Sequence, residues 1–163
     1  MEAAKKMELG VGYTLTFTRT FDAPRELVFR VWTDPLYLAR WWGPTGFTNP
    51  VCAFEARPGG RIHIDMTGPD GTVYPMGGEV LETAPPERLV FTTTAFEDAQ
   101  GVPGLKAIDS VTFQETSEHT TIDLESRVVI ATPEAMGALA GMEPGWTQSL
   151  ERLAATVKTL YSE

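Results

Sequence analysis

Cysteine, histidine and positive charge are all scarce in this 163-residue chain. The lone Cys52 excludes an internal disulfide and suits a reducing cytoplasm. His63 and His119 are the only histidines. No His or Cys pair has the spacing of a zinc site, so neither a metal nor a cofactor is expected. Lys and Arg total 13 against 22 Asp and Glu, a net charge of −9. That balance argues against nucleic acid or anionic membrane as a partner, because both need clustered positive charge. No apolar run approaches the ~20 residues of a membrane-spanning helix, so membrane insertion is not expected. Met1 to Gly12 carries Lys5 and Lys6 without a following apolar segment, so no signal peptide is expected and the expected location is cytoplasmic.

Catalytic motifs are missing as well. There is no Gly-x-Ser-x-Gly elbow and no plausible Ser-His-Asp set. Gly10-Val-Gly12 precedes a strand rather than following one, so it is no dinucleotide loop. Gly59-Gly60 and Gly77-Gly78 read as turn and bulge glycines. His63 falls on the polar face of its strand with Arg61 and Asp65, and His119 on a surface turn.

What the chain does have is aromatic residues and alternation. Its length fits one domain, 14–161, after a tail at 1–13; a domain of this size buries about 70% of its unfolded surface. Residues 14–21 alternate strictly, with Leu15, Phe17, Arg19 and Phe21 on one face. Pro24 suits the first turn of a helix over 24–32, and Asp34-Pro35 caps a second, short helix ending near Trp41. Strands are then expected at 47–56, 60–67, 72–83, 88–96, 106–116 and 119–130. Gly68-Pro69-Asp70-Gly71 is a hairpin signal. A three-residue loop with Gly71 left-handed places Met66 opposite Tyr74, Ile64 opposite Met76 and Ile62 opposite Gly78. Thr132-Pro133 opens a C-terminal helical region interrupted by Gly141 and Pro144, beyond which Trp146, Leu150, Leu153, Val157 and Leu160 form an apolar stripe. A bent antiparallel sheet crossed by one long helix is an α+β architecture, and helix and curved sheet leave room for a cavity between them.

Six segments, in order, carry a family resemblance. They are Phe17-Thr-Arg-Thr-Phe-Asp-Ala-Pro24, Val31-Trp-Thr-Asp-Pro35, Arg40-Trp-Trp-Gly-Pro44, Arg57-Pro-Gly-Gly-Arg61, Glu87-Arg-Leu-Val-Phe91 and Gly145-Trp-Thr-Gln-Ser-Leu-Glu-Arg-Leu153. Together they resemble the bacterial relatives of the C-terminal domain of the Hsp90 ATPase activator, within the START-like (Bet v 1-like, polyketide cyclase) superfamily. The resemblance implies a helix-grip fold: a seven-stranded curved antiparallel sheet around a long C-terminal helix, with an apolar cavity between. It implies three kinds of function, namely small-molecule carriage, cyclase or hydrolase chemistry, and co-chaperone-like protein interaction.

The leading expectation is non-enzymatic binding of a hydrophobic or aromatic small molecule between sheet and helix. A chaperone partner and a homodimer stay open. Candidate cavity residues are Arg19, Trp41, Trp42, Phe47, Met66, Tyr74, Met76, Phe91, Met136, Met142 and Trp146, each weighed against a place in the plain core. For Arg19 an ion pair near the sheet edge is favoured over a ligand anchor. Glu82 shares parity with Val80 and is a second inward ionisable candidate. The loop from Glu97 to Gly104 is a candidate lid. Of the adjacent tryptophans Trp41 and Trp42, one is expected to wedge helix against sheet and the other to border the cavity mouth, because neighbours on a helix point about 100° apart.

Overall fold

Threonines alternating with apolar residues begin the sheet. In β1 (Thr14–Phe21) Leu15, Phe17 and Phe21 are buried, while Thr16, Thr18 and Thr20 face water. The computed structural model describes residues 9–162 and contains two helices after this strand, α1 (Arg25–Thr33) and α2 (Pro35–Trp41). Asp34 serves both helices: its backbone N–H donates to Arg30 O, and its Oδ1 accepts from Leu36 N at 3.0 Å. Pro35 then occupies the first turn, where its missing N–H has no intrahelical partner to lose.

Six strands follow: β2 (Thr48–Phe54), β3 (Arg61–Thr67), β4 (Val73–Ala84), β5 (Arg88–Ala95), β6 (Leu105–Thr116) and β7 (His119–Ala131). They make one seven-stranded antiparallel sheet in the order β1-β7-β6-β5-β4-β3-β2. The β3–β4 hairpin has the expected register, Met66 against Tyr74, Ile64 against Met76 and Ile62 against Gly78. Gly68 N donates to Thr72 O across the loop, and Gly71 has φ +88°, a conformation a side chain disfavours.

A 3-10 turn (Pro133–Ala135) and α3 (Met136–Ala140) lead to the long helix α4 (Met142–Tyr161). The helical region breaks at Gly141 alone. Pro144 falls inside the first turn of α4 instead of interrupting it, again because first-turn N–H groups lack an intrahelical acceptor. Leu150, Leu153 and Val157 of α4 are buried against the sheet, with Leu160 packed at the margin.

Of the expected tail, residues 1–8 lie outside the described residues. The chain docks before residue 14: Gly12 N donates to Val128 O, Val128 N donates to Tyr13 O, and Tyr13 is buried. A second departure concerns β4. Val80 pairs with Phe91 but Glu82 with Val90, so two residues advance against one. This bulge reverses parity, and Glu82 turns outward to pair with Arg88 at 3.1 Å. Among the described residues no helix is long and apolar enough to cross a membrane.

Candidate functional site

Aromatic rings close one end of the space between sheet and α4. Trp32 meets Trp41 edge-on at 4.7 Å, stacks on Trp146 at 6.3 Å and lies near Phe91 and Phe113. Trp42 meets Trp146 at 5.4 Å and 80°. Beyond this cluster the packing stops, leaving a cavity of about 440 Å³. One wall is α4 with the Gly141 that precedes it, presenting Gly141, Met142, Gly145, Trp146 and Ser149; the facing walls come from the α2–β2 loop and from β3 to β6. A Cβ built on Gly145 meets nothing within 4 Å. The cavity therefore owes part of its volume to a missing side chain.

The α2–β2 loop forms one rim and is tied down by α4. Arg152 donates from its two terminal guanidinium nitrogens to the carbonyls of Arg40, Trp42, Gly43, Pro44 and Phe47, at 2.8 to 3.2 Å. Burial pulls the pKa of Arg152 below its ordinary value. Ser149 Oγ accepts from Gly43 N, and Gln148 Oε1 accepts from Thr45 N. Asn49 Nδ2 adds bonds to Ala39 O and Trp42 O. Gly43 sits at φ +96°, so the turn calls for glycine. The segments around Arg40-Trp-Trp-Gly-Pro and Trp146-Thr-Gln-Ser-Leu-Glu-Arg are thus the two halves of one clamp.

The opposite rim is a fork in the sheet. β4 and β5 pair from Ala84/Arg88 to Gly77/Thr94 and then part. Val73, Tyr74 and Phe96 stand about half exposed there, and Phe96 has φ +58°. A second hollow of about 380 Å³ shares Tyr74, Pro75, Met76, Thr94, Ala95 and Phe96 with the cavity. Phe47 and Tyr74 meet at 5.8 Å, joining clamp to fork.

Seven of the sequence candidates come together on the cavity wall: Trp42, Phe47, Met66, Tyr74, Met76, Met142 and Trp146. Four do not. Trp41 is fully buried and donates from Nε1 to Val31 O at 3.0 Å, so it is the wedge and Trp42 is the cavity wall. Phe91 is sealed behind the wall by Trp42, Trp32 and Phe54. Met136 packs at the edge of the core. Arg19 lies on the edge strand β1 away from the cavity; it donates to Thr18 O and covers the Phe17 ring at 5.6 Å. The expected carboxylate partner for Arg19 is not found among the described residues, since stacking on the neighbouring same-face ring satisfies part of its charge.

The loop from Glu97 to Gly104 does not line the cavity either. Asp98 Oδ1 accepts from the N–H groups of Gln100 and Val102, so the loop closes on itself. His63 Nε2 lies 2.9 Å from Asp65 Oδ1 and His119 Nδ1 lies 3.2 Å from Asp22, both outside the cavity. Burial pushes the Cys52 thiol up to about 11, which favours the protonated form at neutral pH. Among the described residues no three His, Cys, Asp or Glu side chains gather as metal ligands.

Arg152 and Asp109 were not singled out as site candidates by the sequence pattern. Arg152 gave no local signal, because its acceptors lie more than a hundred residues away. Asp109 did leave one: it stands at alternate spacing with Ala107, Val111 and Phe113 on the inner face of β6.

Solved structures reproduce this architecture. A protein of Chromobacterium violaceum is 32% identical, with 88% of this chain and 96% of that one covered and a TM-score of 0.74. One of Arthrobacter aurescens is 27% identical, covering 90% and 86% at a TM-score of 0.78. An AHSA1 protein of Silicibacter pomeroyi is 25% identical, covering 90% and 98% at 0.75. No curated protein matches the chain. Residues 22–158 match the family described as activator of Hsp90 ATPase homolog 1-like protein, and the chain belongs to that family.

Proposed function

We propose that the protein binds a hydrophobic or aromatic small molecule in the cavity between sheet and α4. One observation carries this reading: a space of about 440 Å³, walled mainly by aromatic, methionine and small residues, persists beside a core that is otherwise tightly packed. A concave space of this size with a mostly apolar lining is the form that small-molecule sites take. The methionines Met66, Met76 and Met142 suit a ligand surface that adapts by rotamer changes.

Gly145 supplies the test, because its Cβ direction is open. Nile red titrated into the protein gains fluorescence as it binds, and Gly145→Leu, which fills the cavity from the α4 side, abolishes that gain. Equal dye binding by both proteins would end the cavity reading. Native mass spectrometry of protein purified from its host then identifies the retained molecule.

A protein-interaction role is the second reading, favoured by the exposed Val73, Tyr74 and Phe96 grouped at the fork. A pull-down with the host's Hsp90, comparing wild type with Tyr74→Ser and Phe96→Ser, tests it directly.

A further inference from the structure

The inner face of β6 carries one residue that apolar packing does not explain. Asp109 is fully buried between Ala107 and Val111, and no cation pairs with it among the described residues. Its Oδ2 accepts from Thr93 Oγ1 at 2.9 Å. Its other hydroxyl neighbour is Ser126, its register partner on β7. Burying a carboxylate with hydroxyl partners but no cation is costly, and an isosteric apolar residue would pack there without that cost.

The geometry leads from this carboxylate to the cavity. Thr93 and Ala107 are register partners, and both line the cavity. Asp109 stands two residues farther along the same face, behind Thr93. The Thr93 proton is committed to Asp109, so the hydroxyl oxygen keeps its lone pairs for another donor. Of the other wall hydroxyls, Ser149 Oγ accepts from Gly43 N, Thr94 Oγ1 lies against Gly77, and Tyr74 stands half exposed at the fork. Burial pushes the Asp109 carboxyl up to about 6, against the opposing pull of the Ser126 and Thr93 hydroxyls. The hydrogen bond to Asp109 Oδ2 holds the Thr93 hydroxyl in one orientation.

We propose that Thr93, oriented by Asp109, is the polar anchor of the cavity and takes a single hydrogen-bond donor, a hydroxyl or amino group, on an otherwise apolar ligand. The proposal rests on the cavity reading and narrows it to a ligand class. Thr93 is the contacting residue and Asp109 a positioning residue.

Two isosteric probes separate the anchor from the cavity. Naphthol and methylnaphthalene differ in replacing a hydroxyl by a methyl, and calorimetric titration gives the affinity for each. The wild type prefers naphthol by about tenfold or more, the range of a hydrogen bond linked to a charged group. Thr93→Val brings the ratio to about one while keeping methylnaphthalene affinity, and Thr93→Ser preserves the preference. Asp109→Asn lowers it. A merely structural tether would weaken both probes together and leave their ratio unchanged. Equal binding of both probes by the wild type, or an undiminished preference in Thr93→Val or Asp109→Asn, overturns the anchor alone. If neither probe binds, the cavity reading falls and the anchor with it.

Discussion

The two rims of the cavity are built on opposite principles. On the α4 side, Arg152, Ser149, Gln148 and Asn49 saturate the backbone from Ala39 to Phe47 with hydrogen bonds, most of them made from one face of one helix. On the sheet side, β4 and β5 lose their pairing beyond Gly77 and Thr94, and half-exposed Val73, Tyr74 and Phe96 stand where ladder bonds would otherwise run. Regions with few buried contacts and unpaired backbone open at lower free energy than regions tied by many bonds. The clamp is therefore the fixed rim of the cavity, and the fork is the rim that opens more easily. Their difference also shows why recognisable sequence concentrates on one rim. A clamp requires named donors and glycines, whereas a fork needs only the absence of pairing.

The comparison breaks most visibly at Arg152. Replacing it with Met removes the shared donor and strands several carbonyls, at a cost of about 3 kcal/mol or more. Urea unfolding should show that loss, and hydrogen exchange should show amides 43–47 becoming as fast as those of the fork. If the clamp amides stay slow, the two rims are not held in the way described here.

Next comes the floor between the rims. Asp109 has its folded pKa raised by burial from 3.8 to about 6, so the native state holds a proton that the unfolded state has released across that interval. The stability contribution is complete below pH ~3.8 and is lost as pH rises through about 6. Two units correspond to about 3 kcal/mol, taken as an upper figure. Asp109→Asn should match the wild type near pH 4 and exceed it by up to that amount above pH 7. Parallel stability profiles for the two proteins would remove Asp109 as an uncompensated charge.

A smaller effect of opposite sign is expected on the α4 wall. Gly145→Ala gains about 1 kcal/mol, since glycine within a helix is conformationally costly and the added Cβ meets nothing. Gly145→Leu keeps most of this gain while losing Nile red binding, so stability and occupancy move apart. Loss of stability in both variants would mean that the space beside Gly145 is not free.

The least effect falls at the fork. Phe96→Gly relieves a left-handed backbone but gives up ring contacts, for a net change within about 1 kcal/mol. Its signature is kinetic. Stopped-flow dye association should accelerate, whereas an unchanged rate would move the entrance away from the fork.

Much of this molecule is legible residue by residue. The Pro-Asp-Gly turn set the β3–β4 register because a three-residue loop allows only one alignment of Ile62, Ile64 and Met66 with their partners. Asp34-Pro35 announced a helix boundary through a short side chain and a fixed φ. Reading failed where parity was carried across an irregularity: the bulge near Leu81 sent Glu82 outward. For Phe91 and Met136 the pattern left core and cavity both open, since an inward-facing apolar residue does not reveal which part of the interior is packed and which is open. Asp109 was readable from alternation alone, yet a carboxylate on an apolar face runs against the expectation that charges stay in water.

By itself, then, the sequence determined the order of elements, their turns and caps, the seven-strand count and the family, because those depend on chemistry within a few residues. The tertiary structure decided which tryptophan faces the cavity, that Arg152 holds the opposite loop, and that Thr93 and Asp109 stand together beneath an open space. A cavity is the volume left between distant surfaces, so its shape and polarity depend on how β5, β6 and α4 meet, which no local pattern encodes.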